Sequence, residues 1–579
     1  MDANSILIVD VGEISTRALL FDVVEEHYRF IASGISPSSF GVHQYNVQDG
    51  VRAAIDQLVA ITGRVFFGED GQLILPSTPD GVGIDAFAVT LSAGPPVEVV
   101  IVGLIEKIDI ESARRLVKTT YSRVMDVMSL NDRRTTEARL DSILRIRPDL
   151  IVIVGGFDDG SVSSVQRLAE PVGLACSLLT NEHRLEVLFA GNQSIQGEIR
   201  SLFGKNANFY QAPNLRPSID VEQLNQAQAE VEKIFFNIRK RQIPGVAELA
   251  SWAGTDSIST SEAFSSIVRF LSLSLESNKG VLGIDVGASA TTIAASFCGN
   301  LVVSVYPEFG VGSNLDELLT NMPLSDLTRW ISLDIADDDV RNYLFNKSLY
   351  PSSLPVEDKD LAIEQAVTRQ VIRGALEKTF ERFPDREFNY SKHHLPWFEP
   401  IIATGGVFTQ SQSVDQTALI LIDSLQPTGA TTLVLDHYHL LSALGAAASI
   451  NQLMVVHVLD TDAFMHLGTV ISPVGEALIG TPVLRLQMIR DDGQDVNLEI
   501  KYGDLEMIPL PVGQKASMQL HPLHLFDVGM GAPGRGGALR VMGGELGVII
   551  DARGRPLKLP DDRDERSELL TKWRRALAR

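Results

Sequence analysis

Cysteine is scarce in this 579-residue chain: only Cys176 and Cys298 occur. Two thiols cannot build a disulfide framework or a cysteine-rich metal site. Each lies in an apolar run, so both are expected to be small buried side chains of a protein kept in a reducing compartment. Long hydrophobic runs are lacking too, and no stretch approaches the roughly 20 apolar residues that span a bilayer. A secretory leader is not expected, because Asp2 precedes any basic residue and the first apolar run, 6–9, stops at Asp10. These features place the protein in the cytoplasm with no membrane span. Positive charge is the third deficit. Fifty Lys and Arg stand against 73 Asp and Glu, a net charge of −23, which repels a phosphate backbone and argues against nucleic acid as a partner. The basic cluster Lys572-Trp573-Arg574-Arg575, with Arg579 beyond it, reads as a solvated helix face. The glycine-rich loop 529–537 lacks the Gly-Lys-Ser/Thr ending of a Walker A motif. His521, His524 and the pair His393-His394 lack the further ligands that zinc requires.

What the chain does contain is ordinary globular material, 45% hydrophobic and 21% charged, enough for about four domains. Residues 51–62 place Val51, Ala54, Ile55, Leu58 and Val59 on one helical face, with Asp49 as the cap. From 96 to 204 strands and helices alternate, which predicts a parallel sheet covered by helices on both faces. Strands are expected at 97–104, 150–154, 174–179 and 186–190, and helices at 111–128, 136–146 and 192–203. Residues 205–219 read as a loop. Period-two alternation from 482 to 520, with a hairpin turn at Asp491-Asp492-Gly493, predicts a β domain.

The opening of the chain recurs internally. Asp10-Val11-Gly12 follows an apolar strand, and Asp285-Val286-Gly287 follows another; each leads through a turn into a second apolar strand. Thr404-Gly405-Gly406 ends a third. Two like domains can each offer such a turn to nucleotide phosphates. The glycines admit backbone N–H groups, hydroxyls add donors, and the aspartates can hold a hydrated magnesium ion.

This arrangement resembles the actin, Hsp70 and sugar-kinase superfamily, in which a small-residue helix such as Ala443-Leu444-Gly445-Ala446-Ala447 packs against the second hairpin. More closely, residues 1 to about 450 resemble the glutamate mutase MutL family, also called GlmL, which is unrelated to the mismatch-repair protein of that name. The resemblance is carried by Ile8-Val9-Asp10-Val11-Gly12, Pro148-Asp149-Leu150, Gly155-Gly156-Phe157-Asp158-Asp159-Gly160, Leu188-Phe189-Ala190-Gly191-Asn192-Gln193, Gly283-Ile284-Asp285-Val286-Gly287 and Ala403-Thr404-Gly405-Gly406-Val407. It implies an α/β protein with two actin-like (ribonuclease H-like) domains. The first comprises 1–95 and 205–275 with an α/β segment, 96–204, inserted; the second is 278–450. A separate all-β domain, 455–560, and a helix, 561–579, complete the chain. It also implies an ATP-binding, chaperone-like accessory protein working with a cobalamin-dependent mutase, or else a scaffold or self-assembling protein on the same fold. The expected nucleotide contacts are Asp10, Gly12, Thr16, Asp285, Gly287, Ser289, Thr291, Gly405 and Gly406, with Asp10 and Asp285 toward Mg2+. Two departures argue for weak binding and slow hydrolysis. Glu13 and Ile14 replace hydroxyl residues of the family's first turn, and Thr292 stands where the family has an aspartate.

Overall fold

The computed structural model describes residues 3–39, 46–158, 160, 162–179, 184–253, 257–275, 279–383, 394–410, 413–491, 493 and 495–578. Asp159, His393, Asp492 and Arg579 lie outside them. Two compact units result: Ile6–Ala18 with Gly34–Glu262, here the first, and Met1–Ser5 with Leu19–Ser33 and Ala263–Arg579, here the second.

The first unit holds β1 (Ile6–Val11); β2 (Ser15–Val24) and β3 (His27–Pro37) carry the chain out of it and back. β4 (Ala86–Leu91) pairs parallel with β1, setting Asp10 opposite Thr90. The helix Val47–Thr62 begins one turn earlier than its apolar stripe predicts, because the Asn46 side chain, not Asp49, accepts the capping N–H from Gln48. A second sheet is built from β5 (Val97–Val102), β6 (Ser122–Met128), β7 (Leu150–Ile153), β8 (Glu186–Phe189) and β9 (Asn208–Gln211). Its order is β6-β5-β7-β8-β9, parallel throughout. Their apolar runs fill a core with the helices around them, as Val100, Ile151, Ile153, Val187 and Phe189 illustrate. β10 (Ile258–Ser259) lies beside β4.

Three expectations fail in this segment. The helix expected over 111–128 stops at Val117, and after the turn 118–121 the stretch 122–128, with Val124 and Val127, becomes β6. The strand expected at 174–179 is the end of the helix Ser163–Leu178. Leu174 and Leu178 face out there while Ala175 and Cys176 face in, a helical rather than alternating pattern. The loop 205–219 contains β9, whose four residues are only half-buried and so lack an apolar signature.

In the second unit the strands are β11 (Gly280–Val286), β12 (Thr291–Phe297), β13 (Asn300–Tyr306), β14 (Phe398–Thr404), β15 (Gly429–Leu435), β16 (Met465–Ser472), β17 (Pro482–Arg490), β18 (Asp495–Lys501), β19 (Leu505–Ile508), β20 (Lys515–Pro522), β21 (Gly537–Met542) and β22 (Val548–Asp551). An eight-stranded sheet runs β13-β12-β11-β14-β15-β16-β22-β19, and a four-stranded antiparallel sheet runs β18-β17-β20-β21. The C-terminal region is therefore not a separate β domain. β16 pairs with β15 over seven register positions, β22 continues the same sheet, and Ala430 shares a core with Ile471, Leu484, Met518 and Ile550. The physical cause is the stretch 467–471, which is buried and needs a sheet partner on both edges: β22 covers one and β15 the other. In the closing helix, Arg563–Leu577, Lys572, Arg574 and Arg575 lie on an exposed face as expected, while Leu570, Trp573 and Leu577 are buried on the other, with the Arg553 guanidinium 4.6 Å from the Trp573 ring.

Cys176 is buried, and burial pushes its thiol up to about 12. Cys298 is exposed, contrary to expectation. Cys298 and Gly299 both have positive φ, 50° and 81°, and form the two-residue turn between β12 and β13, which must face outward. His394 is half-buried with its ring Nε2 3.1 Å from the Arg555 carbonyl; His521 and His524 are exposed.

Candidate functional site

The repeat seen in the sequence is a repeat of geometry. In the first unit the Gly12 N–H donates to the Ser15 carbonyl at 3.1 Å; in the second the Gly287 N–H donates to the Ala290 carbonyl at 2.9 Å. In both, a Cβ on the glycine would meet that same carbonyl, at 2.9 and 3.0 Å. Each Asp-Val-Gly thus closes the same four-residue turn between two strands, with its aspartate two residues before the glycine at the strand's carboxyl end.

Around the first turn, Asp10 is buried, and its Oδ1 accepts hydrogen bonds from the Thr90 hydroxyl at 2.6 Å and the Thr260 hydroxyl at 2.9 Å. β4 brings Thr90 there by register, and Thr260 follows β10. The Ser38 hydroxyl donates to the Gly12 carbonyl at 2.6 Å, and its N–H to the Ile14 carbonyl at 2.8 Å. Thr16, expected to face a ligand, is buried with its hydroxyl 3.0 Å from that of Ser38. Through Ser38, which bonds the Gly12 and Ile14 carbonyls, it braces the turn. Glu13 is folded inward: the Gly94 N–H donates to its Oε2 at 3.3 Å. Burial raises the Glu13 carboxyl above its usual range, while the Gly94 bond and the Arg239 charge oppose that rise.

In the second unit Asp285 is half-buried and lies in register between Thr292 of β12 and Thr404 of β14. Gly405 has φ +128°, and a Cβ there would come within 2.3 Å of the Val286 carbonyl. Only glycine lets the Thr404-Gly405-Gly406 backbone approach the second turn so closely. Gly406 has open space where a Cβ would stand. Ser289 is half-buried on the turn, whereas Thr291 is fully buried and its hydroxyl has no hydrogen-bond partner among the described residues. The segment 310–314 braces the turn: the Gly312 N–H donates to the Ala288 carbonyl at 2.8 Å, and the Asn314 amide to the Ser289 carbonyl at 3.2 Å. The Thr404 hydroxyl is 3.2 Å from the Asp436 carbonyl, and the Asp436 carboxylate accepts from the N–H groups of Leu440 and Leu441, capping the small-residue helix Leu440–Ala447.

Asp285, Gly287, Ser289, Gly405 and Gly406 are thus gathered around one turn, and Asp10 and Gly12 define its counterpart. Ser38, Thr90, Thr260, Gly94 and Arg239 carry no signal in the sequence. All lie far along the chain from the turn they serve, and only the repeat's strand pattern could have pointed to Thr90. Among the described residues no three His, Cys, Asp or Glu side chains cluster as a metal site. Magnesium commonly relies on one or two carboxylates plus substrate phosphates. Asp10, fixed by two hydroxyl donors, and half-buried Asp285 have the oxygen chemistry for that role.

The profile of the MutL protein family matches residues 6–463. The chain belongs to this family. Over 208 residues it is 23% identical to the protein MutL of Clostridium tetanomorphum, a match covering 35% of this chain and 42% of that one. The matched part therefore spans less than half the length of that relative. Among solved structures, a nucleotide-free acetone carboxylase is 11% identical with a TM-score of 0.32, covering 86% of this chain and 81% of that one. The Clostridium difficile activator of 2-hydroxyisocaproyl-CoA dehydratase with bound ADPNP is 11% identical with a TM-score of 0.28, covering 78% and 95%. A nucleotide-free diol dehydratase-reactivating factor is 11% identical with a TM-score of 0.31, covering 77% and 99%. Structural likeness at this level carries no functional weight. No helix among the described residues is long and apolar enough to cross a membrane.

Proposed function

We propose that this MutL-family protein is a cytoplasmic, ATP-binding accessory protein that acts on a partner enzyme, with a cobalamin-dependent mutase as the partner class implied by the family resemblance. The observation that carries the reading is the pair of matched Asp-Val-Gly turns. Both have the same glycine-closed hydrogen bond, and the second has Gly405 pressed against it. In this reading the units are actin-like domains. The Gly12 and Gly287 N–H groups close the turns, and the other backbone N–H groups of each turn, with Ser289, donate to phosphates; Gly405 and Gly406 lie beside the nucleoside. Asp10 and Asp285 hold the hydrated Mg2+ that neutralises phosphate charge. Thr292, in register with Asp285, offers no carboxylate to order an attacking water, so turnover is slow.

Calorimetric titration with ATP and magnesium tests this. Saturable binding lost in Asp10→Ala and Asp285→Ala is expected, with turnover well below the usual enzyme range of about 1–1,000 per second. Absence of binding, or binding indifferent to both substitutions, refutes it.

A further inference from the structure

Glu13 poses a problem for any anion at the first turn: a carboxylate beside phosphates repels them unless a cation intervenes. The cation is on the helix Asn225–Gln242. Arg239 is fully buried, with its guanidinium 4.8 Å from the Phe235 ring and its Nη1 donating to the Gln242 Oε1 at 2.8 Å. Its Nε and Nη2 have no hydrogen-bond partner among the described residues. Gly94 ties the two side chains together. Its N–H donates to the Glu13 carboxylate at 3.3 Å, and a Cβ on it would lie 2.8 Å from the Arg239 Nη1. With φ +104°, residue 94 is the left-handed glycine that lets the guanidinium pack against the backbone holding Glu13. A buried guanidinium with two unpartnered N–H sites is costly unless a negative charge is near. The acidic groups that act on Arg239 are, in falling order, Tyr121, Asp149 and Glu13, and of these only Glu13 is held by the Gly94 backbone against which the guanidinium packs.

We propose that Arg239 is the internal counterion of Glu13, drawing this carboxylate away from the mouth of the turn so that the turn stays compatible with a phosphate. The inference rests on the nucleotide-binding reading above and makes Arg239 a positioning residue, not a ligand. It also revises the view of Glu13 as a bare charge that spoils the site.

A double-mutant cycle read by magnesium-ATP titration and by thermal unfolding decides it. Arg239→Met should weaken ATP binding about tenfold or more, because the released carboxylate then faces the phosphates. Adding Glu13→Gln should restore most of that loss. Glu13→Gln having the same effect with and without Arg239 would overturn the proposal. If Arg239→Met does not fold, Arg239→Lys and Arg239→Gln replace it. The lysine, which keeps the charge, should bind ATP more tightly than the glutamine, and equal affinities would overturn it. A wild type that binds no ATP defeats the nucleotide reading alone. The pair is then judged by unfolding midpoints: Glu13→Gln should recover part of the midpoint lost in Arg239→Met, and simple addition of the two losses would sink the pair.

Discussion

Asp551→Asn should destabilise the second unit by about 3–5 kcal/mol, the usual cost of breaking a buried ion pair by removing one partner. The Asp551 carboxylate is fully buried at the end of β22. It accepts from the Arg553 Nε at 2.8 Å, the Arg553 Nη2 at 2.9 Å, the Arg555 Nη2 at 2.8 Å and the Arg553 N–H at 3.2 Å. Arg553 also reaches Asp423 at 2.8 Å, and Asp423 takes the Arg369 Nε at 2.8 Å. Two carboxylates thus serve three buried guanidinium groups that join β22 to the helices Val414–Leu425 and Asp358–Phe380. Without the Asp551 charge, Asp423 alone must balance all three. Against a typical total stability of about 5–15 kcal/mol, that loss is large. Urea unfolding followed by fluorescence, with Trp573 reporting beside Arg553, measures it. The two arginines hold the Asp551 carboxyl well below its ordinary range. Its stabilisation is therefore present above the unfolded carboxylate value near pH 4 and lost as pH falls further, so the substitution should also blunt acid lability. A cost under about 1 kcal/mol at pH 7 would show that the cluster is solvated rather than buried, and the reasoning would fail.

Three further outcomes are expected. Deleting residues from 452 onward should leave no folded second unit, since β15 would lose β16 and β22 with it; a protease-resistant fragment ending near 451 would contradict this. Gly405→Ala should cost about 1–3 kcal/mol for its backbone conformation alone, and more for the clash with the Val286 carbonyl, visible as a lowered urea midpoint. Glu232, which accepts from the Ser259 N–H and hydroxyl, is pushed up to about 7 by burial, with Glu262 adding repulsion. Its raised value favours the protonated form in the fold, so stability contributed near pH 4 drains away as pH rises toward 7, by at most about 3 kcal/mol. Glu232→Gln should flatten that slope between pH 5 and pH 8, and an unchanged slope would count against the assignment.

Strand and helix type were legible where side chains repeat with a clear period, as along 51–62 and 482–490. They were not where one short run fits both periods. Residues 174–179 show the difficulty: Leu-Ala-Cys-Ser-Leu-Leu is apolar enough for a strand, and only its continuation from Ser163 makes it the last turn of a helix. Sheet membership was less legible still. Nothing local in 465–472 says that its partner is β15 rather than a strand of a separate domain, because antiparallel pairing across a long connection leaves no mark on either sequence.

The candidate site divides in the same way. Asp10, Gly12, Asp285, Gly287 and Gly405 were readable because a turn that needs glycine at a fixed offset from a strand end writes itself into consecutive residues. The groups that decide what the turn can tolerate are not consecutive. Thr90 reaches Asp10 through parallel strand register across 80 residues of chain, Thr260 reaches it from the helix start just after β10 across 250, and Ser38 reaches Gly12 across 26. Glu13 shows the consequence most plainly. In sequence it is a carboxylate in the wrong place, and its neighbours Gly12 and Ile14 do nothing to correct that impression. In the fold, a glycine at 94 that can adopt φ +104° places an N–H on it and admits a buried arginine from 226 residues away along the chain. A substitution that looks like decay in a short motif is, in three dimensions, half of a pair, and only its other half tells whether the site was lost or rebuilt.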